Sequence, residues 1–373
     1  MRILVLVTRY PQPHAKGDAL RAFSWISDLA LRHDLRVVTA AAPPDGNDVL
    51  PEAVDVVSIP VGRLRRTCSA LGGALRGAPL QVGWMMPGPT WKAALLAVQD
   101  ADVVLAMTTR SLRGPVSCPL VIDHVDALSL NMSRRSHGDE SPPVRAFARF
   151  EAWRFGAWER RCARWSSRAI ATAEEDAAAL PPHPRIEVIP VILDHVDPAW
   201  ALSQDRPIDL ILSGNMRYPP NRRAALLLDR EIAPMLRARV EGIRVVVTGR
   251  AADTLRLTNV EIMSDVPDML AVLRTAKVAI APLELGTGSP IKVLEAAACG
   301  AAVVSSPWAA ARFGLAARTA SDAEGYCDAV YQLLSDHQQR AALVAESQSA
   351  VERHGTDVVL RRVEALLLAA GEG

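Results

Sequence analysis

The run "GTGSPIKVLEAAACG", Gly286 to Gly300, leads a loop of small residues into a helix whose polar side chains are one lysine and one glutamate. Gly286 and Gly288 allow backbone angles that other residues avoid and let a ligand approach the main chain. Ser289 reads as the N-cap and Pro290 as the first helical residue. The free amides behind that cap, with the positive end of the helix dipole, make an anion site. Lys292 and Glu295 follow Ser289 at i+3 and i+6, so they lie roughly on one face above that site. A lysine there neutralises a bound diphosphate, and a carboxylate one turn deeper accepts two hydrogen bonds from the vicinal hydroxyls of a ribose. The amides from Thr287 onward, Lys292 and Glu295 therefore describe a nucleoside-diphosphate site. The competing reading is a helix whose Lys292 and Glu295 simply pair. The absence of any other polar residue down to Gly300 implies burial, where an unneeded ion pair is costly.

A second set of candidates stands in the first half. "VIDHVDALS" places Asp123, His124 and Asp126 just past the carboxyl end of a strand, where a carboxylate or imidazole can orient a hydroxyl or take its proton. Gly17 and Asp18 form the turn after the first strand, with Asp18 as N-cap of the next helix and the Gly17 amide facing a ligand. "DAD" at 100–102 imitates a metal-binding pair, but it precedes its strand, so its carboxylates point away from the ligand edge; no metal site is expected. "FARFEAWRFGAWERRCARW" interleaves aromatics with arginines, as a membrane-surface helix or an acceptor platform does. Phe147, Phe150, Trp153 and Ala157 fall at helical spacing, and the expectation is that this stripe is core.

These residues need a frame that brings strand ends together. "RILVLV", "LRVVTA", "DVVLAM" and "LVIDHV" alternate with helical patterns, and the rhythm restarts at "IDLILSG", "IRVVVTG", "NVEIM" and "KVAIAPL". Such alternation is that of doubly wound parallel sheets, whose ligands sit at the carboxyl ends of the strands. A polar, turn-prone stretch near 194–207 reads as a linker. The expected division is an N-terminal Rossmann-like domain over 1–198 and a C-terminal one, with terminal helices, over 206–373.

"VAIAPLELGTGSPIKVLEAAACGAAVVSS" resembles the donor-site segment of GT4-type glycosyltransferases, the glycosyltransferase group 1 family of GT-B fold. "HAKGDALR", "VIDHVDALSL", "SGNMRYPPN" and "VEIMSDVPDMLAVLRTAKVAIAPL" follow in matching order. The resemblance implies two Rossmann-like domains facing each other across a cleft, with the N-terminal one on the acceptor side. It implies transfer of a sugar from a nucleotide-sugar donor to a hydroxyl acceptor, a saccharide or a natural product, with retention and without metal or other cofactor. By resemblance, Gly17, Gly214, Arg217, Arg250 and Val266 join the donor site, with the base read by backbone around "MSDVPD". Lys292 and Arg217 then hold the leaving diphosphate, while Asp126, Asp123 and His124 serve the acceptor. Two departures stand out. Thr287 occupies the place of the first of two glutamates, and Asn221 stands where a lysine is common. Two alternatives follow: a non-catalytic GT-B protein that binds a sugar nucleotide, or a nucleotide-sugar epimerase of the same architecture.

Composition narrows the classes further. The chain has 373 residues, with 42 Lys plus Arg against 41 Asp plus Glu, and this balance offers no global field for nucleic acid. No strand leads into GxGxxG, which excludes a nicotinamide dehydrogenase. Five cysteines without metal spacing suit a reduced, cytoplasmic setting. No apolar run approaches the ~20 residues of a membrane span, leaving at most peripheral membrane contact. Ala- and Arg-rich usage fits a GC-rich bacterial genome.

Overall fold

The computed structural model describes residues 1–13, 17–43, 49–138, 141–193, 205–283 and 290–372. The chain divides into two compact units, Met1–Ile192 with Asp357–Gly373, and Leu193–Thr356. In the first unit β1 (Arg2–Val7), β2 (Asp34–Thr39), β3 (Asp55–Ser58), β4 (Val103–Met107), β5 (Leu120–Asp123), β6 (Arg168–Ala171) and β7 (Ile186–Val188) form one sheet of order β3-β2-β1-β4-β5-β6-β7. Every pairing in it is parallel. In the second unit β8 (Ile208–Ser213), β9 (Val245–Gly249), β10 (Glu261–Ser264), β11 (Ala276–Ala281), β12 (Ala302–Ser305) and β13 (Arg318–Thr319) run in the order β10-β9-β8-β11-β12-β13, again all parallel.

The continuous apolar run of β1 exists because helices cover both faces of its sheet. Ile3, Val5 and Val7 face a core completed by Ala22, Trp25, Ile26 and Leu29 of the Asp18–Leu29 helix. Leu4 and Leu6 face a second core built with Phe155, Trp158 and Cys162 of the Pro142–Trp165 helix. All five cysteines are free thiols. No described helix is long and apolar enough to cross a membrane.

Two findings differ from the sequence reading. From Asp357 onward the helix Thr356–Gly371 lies in the first unit, not with the second domain as expected for 206–373. Its buried residues Val359, Leu360, Val363, Leu366 and Leu367 complete the core that lies on the Val5 face of β1. An amphipathic stripe announces a helix without naming the sheet that will take it. The expected linker falls largely on 194–204, outside the described residues.

The aromatic stripe is also not core: Phe147 is 44%, Phe150 43% and Trp153 70% exposed. The helix instead buries Ala148, Glu151, Phe155, Trp158, Glu159 and Cys162. Glu151 accepts the Leu80 and Gln81 amides at 3.0 and 3.3 Å, and Glu159 accepts the Ser129 amide and hydroxyl at 3.1 and 2.6 Å. Those four hydrogen bonds rotate the helix so that its acids point inward and the three aromatics outward.

Leu367→Ala tests the placement of the terminal helix. Truncating a fully buried leucine should cost about 2–5 kcal/mol, read as a lower denaturant midpoint of the first unit's transition. An unchanged midpoint would remove this helix from that core.

Candidate functional site

In an open parallel sheet the crevice forms where the winding reverses, because the crossovers on either side leave in opposite directions. The second sheet reverses between β8 and β11. The chain leaves β8 through Gly214, Asn215, Met216 and Arg217 into the Pro219–Leu227 helix. It leaves β11 toward the Ile291–Ala298 helix. Lys292, in the first turn of that helix, donates from Nζ to Oδ1 of Asn221. The Asn221 amide nitrogen donates to the Asn215 carbonyl at 3.0 Å, so one buried side chain joins the β8 loop to the lysine. A methyl group on Gly214 would stand 2.8 Å from Asn221 Nδ2 and 3.0 Å from Lys292 Nζ. Gly214 is glycine because the amide and the ammonium occupy that space.

Neighbouring strand ends extend the site. The Gly214 amide donates to Thr248 at 3.0 Å, and the Met216 amide to Arg250 at 2.9 Å, holding the β8 loop against the end of β9. Gly249 has φ +124°, and a Cβ on it would overlap the Gly214 carbonyl oxygen. Beyond β10 the Asp265 amide donates to Gly249 at 3.2 Å. The Asp265 carboxyl lies below its usual range, held there by the Ser264 hydroxyl, then the Ala251 amide, then the charges of Arg250 and Arg217. Arg217 and Arg250 are both exposed, and Val266 is half-buried. The structure thus gathers Gly214, Arg217, Arg250, Val266 and Lys292 at one sheet edge.

The helix that carries Lys292 begins at Ile291, with Pro290 at the cap position (φ −77°, ψ 66°), one residue later than expected. Proline has no side chain with which to bond the free amides. Gly286, Thr287, Gly288 and Ser289 lie outside the described residues. Lys292 and Glu295 are half-buried rather than buried. Asn221, Asn215, Gly249 and Asp265 complete the site; sequence reasoning gave the first three no role there, while Asp265 belongs to "MSDVPD". The glycine that ends "VVVTG" is the one local signal of that close approach.

The first sheet reverses between β1 and β4. Gly17 stands at the cap of the Asp18–Leu29 helix with φ +64°, and open space lies where a Cβ would project. Asp18 is the first helical residue rather than the cap, and its carboxylate pairs with Arg9 at 3.1 Å. Asp123 is fully engaged: Arg21 Nε donates to it at 2.7 Å and the Val125 amide at 3.2 Å. It is therefore placed as a positioning group and not as a base. Arg21 also donates to Ile189 and Pro190 at 3.0 and 2.8 Å, fixing the helix to the end of the sheet.

His124 is buried, and burial together with the charge of His183 pushes its pKa down to about 3, so the imidazole is neutral. Four buried polar atoms at this edge find no protein partner: Thr8 Oγ1, Thr109 Oγ1, Arg110 Nε and His124 Nδ1. The register pairs Leu6 with Ala106 and Met107 with Asp123, so Thr8, Thr109, Arg110 and His124 follow neighbouring strand ends at nearly one level. Burial pulls the Arg110 guanidinium down despite the nearby Asp18 and Asp126 charges. Asp126 is half-buried beside this group, its amide donating to His124 at 2.7 Å. Buried polar groups are ordinarily satisfied, so orphans concentrated at a sheet's ligand edge mark a place for a polar ligand.

Strain concentrates at the same edges. Among the described residues, the non-glycine residues with positive φ are Thr108, Val125, Ala251 and Asp265. They follow β4, β5, β9 and β10. Such conformations cost of the order of 1–3 kcal/mol each and persist where surrounding contacts over-determine them.

The Asp100 and Asp102 carboxylates stand at the amino end of β4, where Asp102 pairs with Arg2 at 2.8 Å, away from either ligand edge.

Comparison with known proteins adds an independent observation. Residues 207–336 match the family model described as Glycosyl transferases group 1. A search of curated proteins gave no match. Among solved structures, the Anabaena protein HepE in complex with UDP-glucose is 15% identical, with a TM-score of 0.64, covering 99% of this chain and 100% of that one. WaaG, a glycosyltransferase involved in lipopolysaccharide biosynthesis, is 15% identical at a TM-score of 0.64 over 98% and 99% of the two chains. An alpha,alpha-trehalose 6-phosphate synthase from Burkholderia multivorans is 14% identical at a TM-score of 0.62 over 100% and 97%. At this identity the likeness establishes the fold: two parallel-sheet α/β domains of the GT-B type.

Gly249→Ala tests the close approach on which the second site depends. Its methyl group meets backbone, which cannot rotate away, so the second unit should lose roughly 1–3 kcal/mol or more of stability. A variant as stable as the parent would mean that the β8 and β9 loops do not meet at Gly249.

Proposed function

We propose that the protein is a glycosyltransferase that moves a sugar from a nucleoside-diphosphate sugar to a hydroxyl of a saccharide or natural-product acceptor. One observation carries the reading: Lys292 is held by Asn221 against Gly214 at the switch point of the second sheet, within the segment that matches the group 1 model. HepE has been solved with UDP and with UDP-glucose, which supports a UDP-sugar as donor. Free thiols at all five cysteines support a reducing, cytoplasmic setting.

In the proposed mechanism Lys292, the exposed Arg217 and the amides entering the Ile291–Ala298 helix hold the negative charge that grows on the departing diphosphate. Fixed donors aimed at developing charge stabilise a transition state more than the ground state. Arg250 shares the diphosphate, backbone near Val266 reads the base, and Glu295 accepts the ribose hydroxyls. The acceptor hydroxyl attacks from the face the diphosphate leaves, with retention, and a departing phosphate oxygen receives its proton. Asp126 orients the acceptor on the first unit, where Gly17 and the neutral His124 supply further polar contacts. No divalent metal and no other cofactor takes part, so chelation leaves turnover unchanged.

A thermal-shift panel of UDP, GDP, dTDP and ADP checks the donor class. A nucleotide at 100 times its dissociation constant should stabilise the protein by ~2.7 kcal/mol, with UDP the strongest. Lys292→Ala should weaken this shift and lower turnover at saturating donor. A full rate at saturation would take Lys292 out of the mechanism.

Glu295→Gln separates ribose recognition from structural pairing. Charge-assisted hydrogen bonds contribute ~1.5–3 kcal/mol each, so nucleotide affinity should fall roughly ten- to a hundredfold. The parent should prefer the ribose form over the 2′-deoxy nucleotide, and the variant should lose most of that preference. A variant that keeps the preference, or that unfolds, makes Glu295 a structural residue.

A further inference from the structure

The outward face of the Pro142–Trp165 helix continues onto the Arg63–Leu75 helix. Arg154 bridges them, its guanidinium donating to the Ala74 and Ala78 carbonyls at 2.5 and 2.7 Å. Arg161 donates to the Arg76 carbonyl at 3.2 Å. On the first helix Arg149, Trp153, Arg160 and Arg164 recur at i, i+4, i+11 and i+15, one stripe, and all four are exposed. On the second helix Leu64, Leu71 and Leu75 share a face and are 79%, 57% and 90% exposed.

The charge on this surface has one sign. The two helices and Arg76 carry ten arginines, and their only carboxylates are Glu151 and Glu159. Both are buried against amides and a hydroxyl of the protein interior. No ion pair among the described residues joins any of the ten to a carboxylate. The whole chain has a net charge of +1, so this cationic face is a local concentration and not a general excess.

We propose that this face docks the protein on an anionic lipid surface, with the arginines binding lipid phosphates and Trp153, Phe150, Phe147 and the three leucines entering the headgroup boundary. Guanidinium groups engage phosphate oxygens in pairs, and aromatic rings settle at the boundary between water and hydrocarbon. The exposed leucines favour lipid over nucleic acid, since stacked bases and phosphates offer aliphatic side chains no apolar phase. The proposal is independent of the transferase reading, and nucleotide binding by the second unit serves as its control.

The test is cosedimentation of the full chain with sonicated vesicles of phosphatidylcholine alone and with about one-third phosphatidylglycerol, at low and high salt. Binding should require the anionic lipid and fall with salt. Arg149→Ala with Arg160→Ala should reduce partitioning about thirtyfold. Phe150→Ser with Trp153→Ser should reduce it at equal surface charge, while both pairs keep the parent's melting temperature and nucleotide shift. Equal binding to neutral vesicles, binding untouched by either pair, or no binding would overturn the proposal. So would light scattering that finds a dimer in the parent and a monomer in the variants, since a second copy would then be the occupant. Tighter retention on nucleic acid than on anionic vesicles would also overturn it.

Discussion

Parallel strands cannot be joined by a tight turn, and this constraint governs the molecule. Each connection must cross over a face of the sheet and return. Every strand therefore delivers its carboxyl end, and the loop after it, to the same edge. Where the order reverses, between β1 and β4 and between β8 and β11, the two loops diverge and leave a crevice. The close approach of Gly249 to Gly214, the Asn221 bridge and the seating of Lys292 all follow from that geometry in the second unit. Asp123, His124, Asp126 and Arg110 follow from it in the first. The positive-φ residues at the same edges are its local cost, borne where the chain must turn away from a strand at once.

The amount legible in the sequence follows from how local each determinant is. Buried parallel strands read directly as apolar runs, and most of both sheets was visible that way. β3 and β13 were not: one is an edge strand of four partly exposed residues and the other has two residues, too short for a pattern. The position of Lys292 was legible because a small-residue loop, a proline and a helix sit in one continuous segment. Its partner Asn221 stands 71 positions away, and only the sheet order brings the two together. Asp123 shows the opposite limit. Residue type and position at a strand end suggested chemistry, yet Arg21, 102 positions earlier, occupies the carboxylate.

The Arg21–Asp123 pair bears on the first unit's candidate groups. Both side chains are nearly inaccessible, and removing one partner of such a pair leaves a buried charge at a cost of about 3–5 kcal/mol. The pair joins the Asp18–Leu29 helix to the end of β5, and through the Ile189 and Pro190 carbonyls to the segment after β7. Asp123 also receives the Val125 amide, which helps to hold a β-branched residue at φ 61°. Through this one ion pair the loop that carries His124 and Asp126 is fixed relative to the helix that starts at Gly17. A substitution at Asp123 would shift that loop even if the carboxylate never touches a ligand.

The placement of other acids explains the surface as well as the interior. Several helices and loops here begin without a side-chain cap, and their free amides draw carboxylates from distant elements. Glu151 serves the start of the Leu80–Met85 helix, while Glu159 and Asp176 serve the start of Leu128–His137. Asp229 serves the amides of Thr258 and Asn259 at 2.8 and 2.6 Å. Each acid used this way is removed from the surface. Burial raises the carboxyl of Glu159, opposed by the Ser129 hydroxyl and the amides it accepts, so its contribution depends on those donors. On the Pro142–Trp165 helix the consequence is asymmetric: both acids turn inward to amides, and among the described residues no ion pair joins any of its six arginines to a carboxylate. A helix with six arginines and two glutamates thus presents one sign to its surroundings. The same hydrogen bonds that orient the helix in the core set the cationic face and turn Phe147, Phe150 and Trp153 to the outside.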